Sequence, residues 1–232
     1  SYEFYHRLFA LQQVRHRPGR AIHLSDGFFN LTLLGKRDRT PEEIRNNIEI
    51  DSAGEIGFSH FGFQVKKLES ALERLGQLGW SLSERKRPQD GRFVEERIND
   101  PEGNRVDLSE NGFGTVGSKG NTGICYLTIC AKNPSLLSDF YHRAFDLACA
   151  PDQDGRFIVS DADLSLQLLS SGPDRSPGLA ALGIRVASVE KVASEMARLY
   201  PQMKLTARQG RFPTVSSIHD PDGNIIELVE SR

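Results

Sequence analysis

His60 and Asp107 are of types that could do metal chemistry, since a neutral imidazole nitrogen with a carboxylate oxygen suits Fe, Mn, Zn or Ni. Glu95 and Glu96, just ahead of the Asp107 segment, are candidate catalytic carboxylates. One of them, aimed at a bound carbonyl compound, would serve as a general base. Each candidate has a plainer reading beside it. A lone strand histidine is often a satisfied core or surface residue, Asp107 shares a strand face with Arg105 by alternation, and Glu95-Glu96-Arg97 also reads as a solvated charged strand. The sequence has no nucleophile elbow, Walker loop or CxxC pair.

An internal repeat gives a way to weigh these readings. Phe4-Tyr5-His6-Arg7-Leu8-Phe9-Ala10-Leu11 returns as Phe140-Tyr141-His142-Arg143-Ala144-Phe145-Asp146-Leu147, and Asp100-Pro101-Glu102-Gly103-Asn104 returns as Asp220-Pro221-Asp222-Gly223-Asn224. The order is kept, so the chain is a duplicated unit. Where one copy has His60 the other has Ala181, so the fold does not require an imidazole there; Asp107 aligns with Glu227. His6 and His142 recur at one helical position and read as surface polar residues, as does His219 before its turn. His23 is open between the site and a strand edge.

The elements that must carry these residues follow from period and punctuation. Residues 124–131 read as a strand, Asn133-Pro134 as a helix start, and the apolar spacing of 2–11 and of 136–145 as amphipathic helices. Short strand-like runs follow each helix at 20–24 and 28–34, and at 156–160 and 164–169. A second unit in each copy opens with a strand at 57–65 or 178–186, continues with a helix at 68–78 or 189–199, and closes with a hairpin turning on the Asp-Pro pentapeptide. Thr40-Pro41-Glu42-Glu43 predicts a short capped helix from Pro41 to about Asn47. The first copy has no strand ahead of its helix: either the chain starts one strand late or a segment precedes the sequence.

Composition limits the partners. Among 232 residues, 29 Lys and Arg face 31 Asp and Glu, a formal charge of −2 that offers nucleic acid or an anionic membrane no global field. A small-molecule substrate is the expected partner. The three cysteines read as reduced core residues, no apolar run spans a bilayer, and the start has no signal-peptide pattern, which together suggest a cytoplasmic protein.

The serial units, with an apolar and small-residue strand opening the even ones and Asp-Pro-Asp/Glu-Gly-Asn before their last strand, resemble the vicinal oxygen chelate superfamily (glyoxalase, bleomycin resistance proteins, extradiol dioxygenases). The resemblance implies an α+β fold of tandem βαβββ units forming two glyoxalase-like half-barrel domains, with the first strand of the first unit absent. The domains would be 1–112 and 123–232, joined by a Gly-rich linker at 113–122. It also implies a site in each cup at four equivalent strand positions. In the first copy these are the absent strand, Thr32, His60 and Asp107; in the second they are Tyr126, Gln167, Ala181 and Glu227. His60 and Asp107 are then candidate metal ligands, although Asp107 is a methylene shorter than the usual glutamate. The second copy, stripped of two ligand positions, is expected to be metal-free. The implied activity is that of a divalent-metal-dependent lyase, isomerase or extradiol-type dioxygenase on a carbonyl or catechol-like substrate. The alternative is a metal-free small-molecule binding protein of the bleomycin-resistance type, and association into a homodimer is left open.

Overall fold

The computed structural model describes residues 1–36, 38, 40–46, 56–80, 95–115, 117, 119–152, 155–161, 163–208 and 215–231. In chain order the first half contains α1 (Tyr2–Phe9), β1 (Gln12–Arg17), β2 (Ala21–Ser25), β3 (Asn30–Leu34), α2 (Pro41–Arg45), β4 (His60–Gln64), α3 (Leu68–Gln77), β5 (Glu96–Asn99) and β6 (Arg105–Ser109). The second contains β7 (Gly123–Ala131), α4 (Pro134–Phe145), β8 (Ala148–Pro151), β9 (Phe157–Ser160), β10 (Ser165–Ser170), β11 (Gly178–Val186), α5 (Val189–Leu199), β12 (Thr206–Arg208), β13 (Val215–His219) and β14 (Ile225–Glu230). The class is α+β with mixed sheets. The second half builds one eight-stranded sheet in the order β12-β13-β14-β11-β7-β10-β9-β8, whereas the first half builds two three-stranded sheets, β1-β2-β3 and β4-β6-β5.

Local chemistry accounts for the helix ends. Asn133 accepts a bond from Leu136 N at 3.1 Å and Pro134 takes the first helical position of α4. Thr40 and Glu43 form the expected capping box on α2, with Glu43 N donating to Thr40 Oγ1 and Thr40 N to Glu43 Oε2. That helix stops at Arg45, and its expected last residue, Asn47, lies outside the described residues. The recurring histidines do more than face solvent. In both copies the ring Nδ1 sits against a carbonyl just past the helix, His6 to Leu11 O at 2.9 Å and His142 to Leu147 O at 2.7 Å. The residue between, Ala10 or Asp146, takes a left-handed conformation with φ 55° or 58°, so the imidazole closes a sharp exit from the helix.

The two repeated motifs hold each other crosswise. Tyr141 on α4 donates to Asp100 Oδ2 at 2.6 Å in the first half's turn, while Tyr5 on α1 donates to Asp220 Oδ2 at 2.7 Å in the second half's turn. Each aspartate also accepts from two backbone N–H groups of its own turn and from the asparagine side chain that ends it. Gly103 and Gly223 supply the positive φ the turns need, at 86° and 88°. The apolar cores follow the same exchange. One joins Leu75, Ile98 and Leu108 to Ile129, Leu137 and Phe140; the other joins Phe4, Leu8 and Leu24 to Ile184, Met196 and Ile226. Trp80 belongs to the first, edge-on to Phe140 with ring centroids 4.9 Å apart. Of the cysteines, Cys125 and Cys130 are buried, but Cys149 is exposed on β8, which among the described residues is an edge strand paired with β9. Among the described residues no helix is long and apolar enough to cross a membrane.

Candidate functional site

Burial of one strand face decides what the other face carries. In β6, Val106 and Leu108 are fully buried in the core, which sends Arg105, Asp107 and Ser109 to the opposite face. In β4, Phe61 and Phe63 pack on Tyr141, which sends His60, Gly62 and Gln64 to that same polar face. Ile98 does this for β5, leaving Arg97 beside Asp107 across the antiparallel pair.

Three side chains converge there. Arg97 grips Asp107 with both prongs: Nε donates to Oδ1 in a short contact and Nη2 to Oδ2 at 2.8 Å. His60 Nε2 lies 3.3 Å from the same Oδ2. An ionised carboxylate only accepts, so Nε2 carries a proton toward Oδ2, while Nδ1 lies 3.0 Å from the Ser59 hydroxyl. Arg97 and Asp107 are each only 2% exposed. Burial works to raise the Asp107 carboxyl, but the bonds from His60 and Arg97 outweigh it and hold the group at about 2, against 3.8 ordinarily. Asp107 therefore contributes stability that is whole above pH 3.8 and is lost as the pH falls toward 2. Its size is about 2 kcal/mol. A carbon-detected NMR titration is expected to place the Asp107 midpoint near 2; a midpoint near 3.8 would contradict the geometry.

A second polar group lies on β2 and β3. His23 Nδ1 is 2.9 Å from Thr32 Oγ1, which in turn donates to Asn30 Oδ1 at 2.7 Å. Burial lowers the His23 pKa; a hydrogen bond with Asn30 opposes this, and the charges of Arg15 and Arg17 reinforce it. His23 thus faces the site rather than a strand edge. Arg15 pairs with His23 and Arg17 with Ala21 across β1 and β2, so both guanidinium side chains leave from this face as well.

The glycine-rich segment after β6 closes part of this face. Phe113 accepts from Asn30 Nδ2 through its carbonyl at 2.9 Å, and its ring lies over Gly62. A Cβ at Gly62 would stand 2.7 Å from the Asp107 carbonyl oxygen and 2.8 Å from Phe113 Cζ. Gly62→Ala is accordingly expected to cost about 1–3 kcal/mol through overpacking, read from urea denaturation. Gly183, at the matching place in β11, leaves room in the same way for the ring of Tyr126.

The candidate carboxylates stand apart from the convergence. Glu95 accepts short bonds from Glu110 N and Asn111 Nδ2, anchoring the start of the same glycine-rich segment. Glu96 pairs with Leu108, so it leaves β5 on the face away from Asp107, and its Oε1 accepts from Arg97 N at 3.0 Å. In the second half, Tyr126 donates to Glu227 Oε2 at 2.8 Å, with Thr128 Oγ1 3.5 Å from the same oxygen. Burial, with Glu227 beside it, raises the Tyr126 phenol and keeps it protonated.

Arg97 is the member of this cluster that composition and motif left unassigned. Its signal was the hairpin register: equal steps back and forward from the Asp100–Asn104 turn pair Arg97 with Asp107. Phe113 had a weaker one, a single aromatic in a glycine-rich polar stretch. The residues around Asp107 do not fit a divalent metal in this arrangement. Both carboxylate oxygens accept from Arg97, His60 presents N–H rather than a lone pair to them, and no group of three His, Cys, Asp or Glu among the described residues could hold an ion.

A family model described as "Glyoxalase/Bleomycin resistance protein/Dioxygenase superfamily" matches residues 1–108. Over this segment, just under half of the 232 residues, the chain is similar to that superfamily. No curated protein matches the chain significantly. Solved structures of several dioxygenases share its fold. The 2,3-dioxygenase LapB from Pseudomonas sp. KL28 is similar with TM-score 0.67 and 15% identity, over 97% of this chain and 85% of that one. A catechol 2,3-dioxygenase is similar with TM-score 0.65 and 15% identity, over 97% and 81%. A variant of homoprotocatechuate 2,3-dioxygenase from B.fuscum gives TM-score 0.63 and 16% identity, over 97% and 66%. At such identities the likeness is one of fold, and the chemistry has to be read from the residues present.

Proposed function

We propose that the polar face of the first half is a binding site for a small, oxygen-rich anion and works without a divalent metal, the metal-free alternative raised by the superfamily resemblance. The observation that carries this reading is the two-pronged Arg97–Asp107 pair completed by His60. A guanidinium holds the carboxylate that a metal would need, so Asp107 adds little net negative charge to the face. The same cavity is lined by Arg15, Arg17, Arg105, Lys36 and Lys66 and, besides Asp107, by the carboxylates Glu110, Asp161, Asp220 and Asp222. The guanidinium groups of Arg15, Arg17 and Arg105 on the polar face suit a carboxylate-bearing ligand. In this reading residues 1–112 and 123–232 are duplicated domains of which the first keeps the site, and Glu95 serves to seat the segment that carries Phe113.

The names of the similar structures suggest a probe pair. Homoprotocatechuate carries a carboxylate and catechol does not. Isothermal titration is expected to show homoprotocatechuate binding at least roughly tenfold more tightly than catechol, equally with and without EDTA, and more weakly at high salt. Arg105→Ala is expected to narrow that preference. Binding or turnover that appears only on adding Fe, Mn, Zn or Ni, and is lost in His60→Ala, would instead restore the metalloenzyme reading.

A further inference from the structure

The pairing of β1 with β2 has one irregularity, and it decides what meets His23. Gln13 stands opposite Leu24 and Arg15 opposite His23, so Val14 is the extra residue of a β-bulge. In an unbroken register Arg15 would stand opposite Ile22 and Arg17 opposite Arg20. Leu24 is buried in the core that holds Phe4, with Ile22, Leu31 and Leu33 packed against it, so that register would aim Arg15 toward the apolar side. The bulge moves both arginines by one place and brings them to the face of His23 and Thr32.

The hydrogen bonds on that face run one way. The Phe113 carbonyl only accepts, so Asn30 offers it Nδ2 and keeps Oδ1 as an acceptor. The Thr32 hydroxyl gives its one proton to that Oδ1, so His23 Nδ1 is the donor at Thr32 Oγ1. Nδ1 therefore already carries a proton, and a second one goes to Nε2. β2 lies between β1 and β3. From β1, Arg15 and Arg17 face His23, whereas His16 pairs with Ile22 and points away; β3 has no titratable side chain, and β2 has none besides His23. Across the polar face β4 to β6 add His60, Arg97, Arg105 and Asp107. Burial lowers the His23 pKa from 6.5 and the charges of Arg15 and Arg17 lower it further, against the opposing bond to Asn30. A carboxylate bound among these arginines offsets their charge.

We infer that anion binding on this face is coupled to the uptake of a proton from solvent by His23 Nε2, so that affinity rises as the pH falls. The coupling rests on the anion reading of the site and adds its regulation. Linkage makes it reciprocal: the anion raises the His23 pKa, and the protonated imidazole holds the anion more tightly. Above the bound-state pKa the imidazole is neutral in both forms and affinity is flat. It climbs as the pH falls through that value and levels off below the free-state one. Arg15 and Arg17 are then more than contacts for the ligand. By keeping the free imidazole neutral they make its second proton depend on the ligand's charge.

Isothermal titration of homoprotocatechuate in two buffers of unlike ionisation enthalpy is expected to show net proton uptake. Affinity is expected to be several-fold higher at about pH 5 than at about pH 8, roughly tenfold corresponding to a rise of one unit in the His23 pKa. His23→Gln is expected to abolish the uptake and flatten the profile. In the free protein, NMR of the His23 ring is expected to show the Nδ1–H tautomer and a midpoint below 6.5 that moves up in Arg15→Gln. Uptake that survives in His23→Gln and disappears in His60→Gln would assign the proton elsewhere and overturn the proposal. Binding without proton uptake would overturn the coupling and leave the anion reading standing, whereas homoprotocatechuate that does not bind at all would overturn both.

Discussion

Arg97→Met is expected to destabilise the protein by about 3–5 kcal/mol, because it strands the Asp107 carboxylate in a place where water cannot replace the lost guanidinium. Asp107 is 2% exposed, with His60 Nε2 3.3 Å from its Oδ2. Removing both charges is a different experiment from removing one. Arg97→Met/Asp107→Leu is expected to recover most of the loss, since a well-packed apolar pair of similar volume matches or exceeds a buried ion pair. Urea denaturation of the parent, both single variants and the double variant measures the coupling. A single variant costing under about 1 kcal/mol would mean that the pair is solvated and does not neutralise the site.

Tyr141→Phe and Tyr5→Phe are each expected to cost about 1.5–3 kcal/mol, the ordinary worth of a hydrogen bond to a charged group. Each removes a single oxygen from a buried aromatic and leaves a carboxylate one donor short, Asp100 in the first case and Asp220 in the second. The tyrosines sit in separate cores, so the double variant is expected to show the sum. A cost confined to one copy would show that the crosswise bonds are not equivalent.

The helices and inner strands were legible in the sequence because apolar period and capping residues agree there: α5 and β11 fall on the residues read for them, and α3 differs by one at its end. The outer strands were not. In β1, Gln12–Arg17 has polar residues at nearly every position, since an edge strand with little to bury need not alternate. At the site, the repeat drew attention to His60 and Asp107, and the fold does bring them together. The partner of Asp107 was hidden for a different reason. Strand alternation offered Arg105, two residues away, but side chains on one strand diverge, whereas Arg97 stands opposite Asp107 across the hairpin and can reach both oxygens. The second role of His6 and His142 was likewise out of reach, because it depends on where the chain turns after the helix.

The crosswise tyrosine bonds bear on how two copies of one unit can drift apart. Each copy completes the other's interior, so a change in one helix or turn must be tolerated by its sibling, and descent holds both scaffolds to a common pattern. The polar faces answer to no such constraint. His60 and Arg97 on one side, and Ala181 and Ser217 at the matching places on the other, show inherited symmetry kept in the interior and released on the polar faces.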